Sequence, residues 1–242
     1  MIGKVFLVGA GPGDPKLLTV RAHELVSRCD VLAHDELVPE AILVIAPRRA
    51  ERIRVGRRAR GVRHHDGRIH PLVIERALSG RDVVRLKGGD PMIFGRGGEE
   101  VEELRAAGVP FEVVPGITAA LGAAASLAFP LTHRDLAHSV TLRTAQLADR
   151  AKTRGDTLVF YMGLASLAST TASLIAEGHA PSTPALVVSN ATRKSQRHVL
   201  ATLSTIARRA ARLEAPAILF VGPAVSVAAI PAPSPVRLLR TA

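Results

Sequence analysis

Ten short strand-like runs, some apolar and some alternating, punctuate the chain. Five lie in its first half, at residues 4–9, 31–33, 52–55, 82–86 and 111–114, and five in its second, at 140–144, 157–161, 185–188, 198–200 and 217–221. Runs of this length, bounded by Gly, Pro and polar residues, read as buried strands. Between them the period changes. Residues 17–27, 39–45, 69–78 and 101–107, and later 164–177 and 202–212, space their apolar side chains as helices do. Strands alternating with helices predict a parallel sheet and an α/β fold. Pro115-Gly116 breaks the pattern, and small residues then run to Ala128. Pro and Gly punctuate the chain there, so the reading is two domains, 1–114 and 115–242. The proline-rich and then basic end, 231–242, is expected to fray.

The polar and glycine-rich stretches fall at the ends of predicted strands. Arg85-Leu86-Lys87-Gly88-Gly89-Asp90-Pro91-Met92-Ile93-Phe94-Gly95-Arg96-Gly97-Gly98-Glu99-Glu100 follows one run and leads into a helical pattern. Strand, glycine loop, helix is how a parallel sheet presents a ligand at a strand's carboxyl end. Bare backbone lets something flat or bulky come close, and Asp90 adds a fixed acceptor. The plain alternative is a flexible connection, although such connections usually need only about two to six residues. Gly9-Ala10-Gly11-Pro12-Gly13-Asp14 invites comparison with a dinucleotide fingerprint. The third glycine would fall at Asp14, whose charge would repel a pyrophosphate, so the turn suits a ligand that brings no phosphate. His34-Asp35-Glu36-Leu37-Val38 closes a third strand at the same kind of position.

Composition narrows the classes. The 242 residues carry a formal net charge of +11, with 47% hydrophobic and 3% aromatic residues and no Trp. The charge favours a polyanionic partner. With so few aromatics a stacking platform for single-stranded nucleic acid is hard to build. The densest basic run holds Arg48, Arg49, Arg52, Arg54, Arg57, Arg58, Arg60 and Arg63, which is either a solvated face or an anion-receiving rim. No apolar run reaches the roughly 18 residues of a membrane helix, and no signal-peptide pattern opens the chain. One cysteine, Cys29, excludes an internal disulfide and suits a cytoplasmic protein with no membrane partner. Cys29 has no obvious base nearby and reads as structural. His64, His65 and His70, with Asp66 between them, match no trusted metal-ligand spacing, so no metal is expected. No Ser sits in a G-x-S-x-G elbow.

Taken together, Gly9 to Asp14, Asp35-Glu36-Leu37-Val38, Arg85 to Glu100, Val114 to Ala120, Pro130 to Arg134 and Phe160-Tyr161-Met162-Gly163 resemble the tetrapyrrole methylases. The resemblance runs from Val5 to about Gly222, and its most specific part is Gly88 to Gly97 with the Arg-Gly-Gly-Glu-Glu continuation. It implies two α/β domains, an N-terminal parallel and a C-terminal mixed sheet, with the ligand cleft between them, usually in a homodimer. It implies S-adenosyl-L-methionine as methyl donor, held by Pro12, Gly88, Gly89, Asp90, Ile93, Thr118, Ala119, Met162 and Ala191. The reaction implied is transfer of two methyl groups to ring carbons of uroporphyrinogen III. The product would be precorrin-2, on the route to sirohaem and cobalamin. The family's proton acceptor falls on Asp35; the plainer roles for that residue are capping the following helix or pairing with an arginine. The substrate's eight carboxylates would suit an arginine-rich rim.

The sequence departs from the family in four places. The family's Val-Gly-Lys-Arg reads Val55-Gly56-Arg57-Arg58, and an arginine is a poor proton donor. Arg57 is therefore expected to act electrostatically. His34 replaces the usual tyrosine, Asp66 a glutamine, and Thr144-Ala145-Gln146 the usual Thr-Gly-His. These changes touch the acceptor side more than the donor side. Two alternatives stay open: a sibling methylase acting on a later corrin intermediate, and a basic nucleic-acid-binding protein.

Overall fold

The computed structural model describes residues 1–55, 69–145 and 156–227. The chain forms two compact units. Met1–Ala123, Val188–Arg197 and Leu213–Ile218 make the first, and Ala124–Val187, His198–Arg212 and Leu219–Ala242 the second.

The first unit is built on five parallel strands, β1 (Val5–Gly9), β2 (Val31–His34), β3 (Glu51–Arg54), β4 (Val83–Lys87) and β5 (Phe111–Val114), in the order β3-β2-β4-β1-β5. Four helices connect or follow them: α1 (Val20–Arg28), α2 (Glu40–Leu43), α3 (Pro71–Leu78) and α4 (Gly97–Ala106). Alternate residues of β1 enter opposite cores. Phe6 and Val8 pack with Ala22 and Val26 of α1 and Ile42 and Leu43 of α2. Val5 and Leu7 pack with Val73 and Ala77 of α3 and Val101 and Leu104 of α4. Helices on both faces explain why β1 is a continuous apolar run, whereas β3, at the sheet edge, buries only Ile53.

The strand order positions the site. From β1 the chain crosses to β2 over the α1 face; from β4 it crosses the other way, to β5, over the α4 face. The adjacent strands β1 and β4 thus send their connections to opposite sides, which opens a crevice at their carboxyl ends. Both glycine-rich stretches emerge there.

The second unit carries most of a mixed five-stranded sheet in the order β6-β7-β10-β8-β9, from β6 (Val140–Thr144), β7 (Thr157–Tyr161), β8 (Pro184–Ser189), β9 (Arg197–Thr202) and β10 (Ala217–Val221). Strands β6 and β7 are parallel. Helices α5 (Ala119–Ser126), α6 (Leu167–Ala176) and α7 (Ile206–Arg209) complete the order. Phe129 and Phe220 meet edge to face at 5.1 Å in its core. Among the described residues no helix is long and apolar enough to cross a membrane.

All ten expected strands form; helix ends differ for local reasons. The helix expected over 17–27 begins at Val20, because Asp14 caps a separate 3-10 turn at Pro15–Leu17 and Thr19 then accepts the N–H of Ala22. The helix expected over 202–212 shrinks to Ile206–Arg209, since β9 holds the chain extended to Thr202. Gly97 and Gly98, read as loop, open α4; a Cβ at Gly97 would stand 2.5 Å from the Pro91 carbonyl oxygen.

Candidate active site

Three backbones cross behind the crevice. Gly11 and Gly89 form an antiparallel bridge, with Gly11 N donating to Gly89 O at 3.1 Å and Gly89 N to Gly11 O at 2.8 Å. A Cβ on Gly116 would meet Gly89 O at 2.2 Å, and one on Gly9 would meet Gly116 N at 2.5 Å. These glycines are therefore demanded by the fold itself. Asp90 braces the same crossing: Oδ1 accepts Met92 N at 2.8 Å and Oδ2 accepts Gly116 N at 3.0 Å. Each of its oxygens already serves the backbone, so a ligand would share them rather than own them.

Gly88 differs from its neighbours. Among the described residues a Cβ there would meet only Leu37 Cβ, at 3.9 Å, so none of them requires glycine at this position. Leu37 beside it and Met92, Ile93 and Phe94 further along the same loop are exposed. Phe94 and Arg96 are held at positive φ of 53° and 59°, sparsely populated for side chains of their size. Strain of this kind gathers where a loop must present groups to a ligand. The backbone of Thr118 and Ala119 lies 3.8 and 3.9 Å from where a Gly89 Cβ would be, and Pro12 lies against Gly122. The open edge, bare backbone and exposed apolar groups fit an uncharged nucleoside with a thioether or sulfonium tail.

Beside this edge runs a chain of charges that sequence reading missed. Asp35 Oδ1 pairs with Arg85 Nη2 at 2.6 Å; the same Nη2 donates to Glu100 Oε1 at 2.9 Å; and Lys87 Nζ donates to that oxygen at 2.7 Å. The side chains of Arg85, Glu100 and Lys87 are 6%, 6% and 4% exposed, that of Asp35 27%, so Asp35 is the end that faces out. Arg85 and Lys87 sit two apart on β4, on the face that packs against α4, whose first turn supplies Glu100. Burial opposes the charge on Arg85, but Asp35 and Glu100 outweigh it and its pKa is raised. Burial, then the neighbouring Arg85 charge, push the Lys87 pKa down despite the carboxylates. The signal was available: two cations at i and i+2 in a strand buried on both faces require buried acids nearby. Asp35 thus pairs with an arginine and, among the described residues, stays partly exposed.

The remaining expected residues are placed as follows. Ala191 is buried in the loop after β8, and the next residue, Thr192, accepts the Asp14 N–H at 3.2 Å. Ile93 follows Asp90 in the glycine loop and is 37% exposed. Met162, in the second unit, ends β7 at a positive φ of 55° with its side chain exposed. Arg57 lies outside the described residues, as do Arg58, Arg60, Arg63, His64, His65, Asp66 and Gln146. Of the basic run, Arg49 pairs with Asp30, Arg52 with Glu40 and Arg54 with Glu36. Cys29 is buried, its thiol pushed up to about 11 chiefly by burial, which suits packing and not nucleophilic attack.

Comparison with known proteins bears on this site. The family model described as Tetrapyrrole (Corrin/Porphyrin) Methylases matches residues 4–207. A siroheme synthase of Ectopseudomonas mendocina (strain ymp) is 48% identical over 236 residues, covering 93% of this chain and 51% of that protein. The chain thus spans about half the length of the curated relatives it matches. A uroporphyrin III C-methyltransferase from Thermus thermophilus in its native form superposes with a TM-score of 0.80 at 39% identity, covering 93% of this chain and 94% of that one. The same enzyme complexed with S-adenosylhomocysteine gives a TM-score of 0.79 at 40% identity, covering 93% and 94%.

Proposed function

Because the chain belongs to the tetrapyrrole methylases, we propose that it transfers methyl groups from S-adenosyl-L-methionine to two ring carbons of uroporphyrinogen III, giving precorrin-2 for sirohaem or cobalamin. The likeness to a uroporphyrin III C-methyltransferase over 94% of that enzyme's length supports the acceptor, and its complex with S-adenosylhomocysteine supports the donor. The domain limits we propose are 1–114 and 115–242, and the setting is a homodimer in the cytoplasm with no metal.

The observation that carries the reading is the pairing of two features at one crevice. Gly88 leaves an edge that the described residues do not fill, and Asp35 offers a carboxylate whose orientation Arg85 fixes. Pro12, Gly88, Gly89, Asp90, Ile93, Thr118, Ala119, Met162 and Ala191 are the donor contacts proposed. The donor's sulfonium supplies an electrophilic methyl group. The reduced pyrrole is the nucleophile: its ring carbon forms the new C–C bond as the C–S bond breaks. Each transfer leaves one proton to be removed from a cationic macrocycle, and Asp35 is the base proposed to accept it. The chain's main contribution is to hold the reactants in line. Arg57 holds a substrate carboxylate in this account.

Asp35→Asn tests the reading. It keeps the size of the side chain and removes the base. Methyl transfer to uroporphyrinogen III is expected to fall by at least about a hundredfold, with S-adenosylhomocysteine binding kept within about twofold. Full activity in the variant would remove Asp35 from the mechanism.

A further inference from the structure

Arg193 stands apart from the other buried or half-buried cations of its unit. Arg76 has Glu51, Arg85 has Asp35 and Glu100, and Lys87 has Glu100. Arg193 forms no ion pair with a described residue. Its Nη2 donates to a neutral acceptor, the Leu37 carbonyl, at 2.6 Å, and its Nε is buried with no protein partner among the described residues. Burial lowers its pKa. The residue is half-buried, but its Nε is withdrawn from water without a protein acceptor among the described residues, which is costly unless an incoming group completes the site.

Its position is fixed. Thr192, a β-branched residue at a positive φ of 63°, turns the chain after β8 and anchors it by accepting the Asp14 N–H. The Arg193 stem then lies across Gly13, where a Cβ would meet its Cγ at 2.8 Å and its Nε at 2.9 Å. Its tip reaches Leu37, two residues beyond Asp35 and, among the described residues, the only side chain within 4 Å of a Cβ built on Gly88.

We infer that Arg193 is a carboxylate-recognition residue of the active site, its unpartnered Nε edge completed by an acid group that a reactant brings. The inference rests on the proposed function for the identity of that reactant. The methyl donor carries one carboxylate on its amino-acid tail, and the tetrapyrrole carries eight. Either chemistry fits a guanidinium edge.

The full chain and its Arg193→Gln and Arg193→Lys variants distinguish these sources. Calorimetry would measure binding of S-adenosylmethionine and of its decarboxylated analogue. Absorbance titration would measure binding of uroporphyrin III, which needs no turnover. If the donor's carboxylate is the ligand, the native protein prefers the intact donor by about tenfold or more, Arg193→Gln loses that preference, and Arg193→Lys keeps part of it. If a tetrapyrrole carboxylate is the ligand, donor binding is unchanged and uroporphyrin III affinity falls by a similar factor in Arg193→Gln. Variants that fold and match the native protein in both titrations overturn the inference. A native protein that methylates uroporphyrinogen III while Arg193→Gln binds both ligands normally would keep the proposed function and remove Arg193. Lost donor discrimination in a protein that never methylates uroporphyrinogen III would do the reverse.

Discussion

Glu100 is the residue on which the buried charges depend. Its Oε1 is shared by Arg85 and Lys87, and its other oxygen is buried without a protein partner among the described residues. Glu100→Gln removes one negative charge and leaves two cations facing Asp35 alone. Removing one partner of a buried ion pair costs about 3–5 kcal/mol, and urea unfolding should show a loss of that order. A loss under about 1 kcal/mol would mean that water enters the cluster and screens it. At this scale the sequence was legible in part. Asp35 stood out because it closes a strand. Arg85, Lys87 and Glu100 all lay within the glycine-rich stretch, but their partnership was hidden, because it is made by packing α4 onto β4 and not by spacing along the chain. Arg193 was hidden for the same reason.

At the level of elements, the glycines divide into two kinds. Gly9 and Gly116 let backbones cross and Gly89 holds a positive φ of 68°, whereas a Cβ on Gly88 would meet only Leu37 among the described residues. Gly116→Ala should therefore destabilise the fold, because its Cβ would enter the Gly89 carbonyl, at a cost of roughly 1–3 kcal/mol for overpacking. Gly88→Ala should fold with an unchanged thermal midpoint and lose affinity for S-adenosylhomocysteine, at least about tenfold if the donor lies against that edge. Normal binding by Gly88→Ala would move the donor elsewhere on the crevice. The alternation of strand-like runs and helical periods made the ten strands legible, most plainly in β1, β4, β7 and β10, whose residues are all buried. Helix ends were less so. The breaks at Leu18 and at Thr202 depend on side-chain caps and on how far a strand pairs, neither of which periodicity reports.

For the molecule as a whole, charge sets the pH range. Glu112 accepts from Lys4 and Arg21, and Glu51 from Arg76 and Arg81, and these hydrogen bonds hold both carboxyls below the ordinary 4.5. The unfolded chain therefore takes up protons first as pH falls. The stability these pairs give is complete above 4.5 and is lost as pH drops through the lowered folded values. Urea midpoints measured from pH 6 downward should decline below about 4.5, and the Glu51→Gln, Glu112→Gln double variant should decline less. An equal decline in both would place the acid sensitivity elsewhere. The net charge of +11 remains the whole-chain feature that best suits a substrate with many carboxylates.

The most direct measurement is anaerobic incubation of the protein with uroporphyrinogen III and methyl-labelled S-adenosylmethionine, followed by mass analysis of the tetrapyrrole. The account predicts a gain of two labelled methyl groups and release of S-adenosylhomocysteine in the same ratio. An unmethylated tetrapyrrole, from a protein that still binds S-adenosylmethionine, would contradict it and make the acceptor another member of the corrin series.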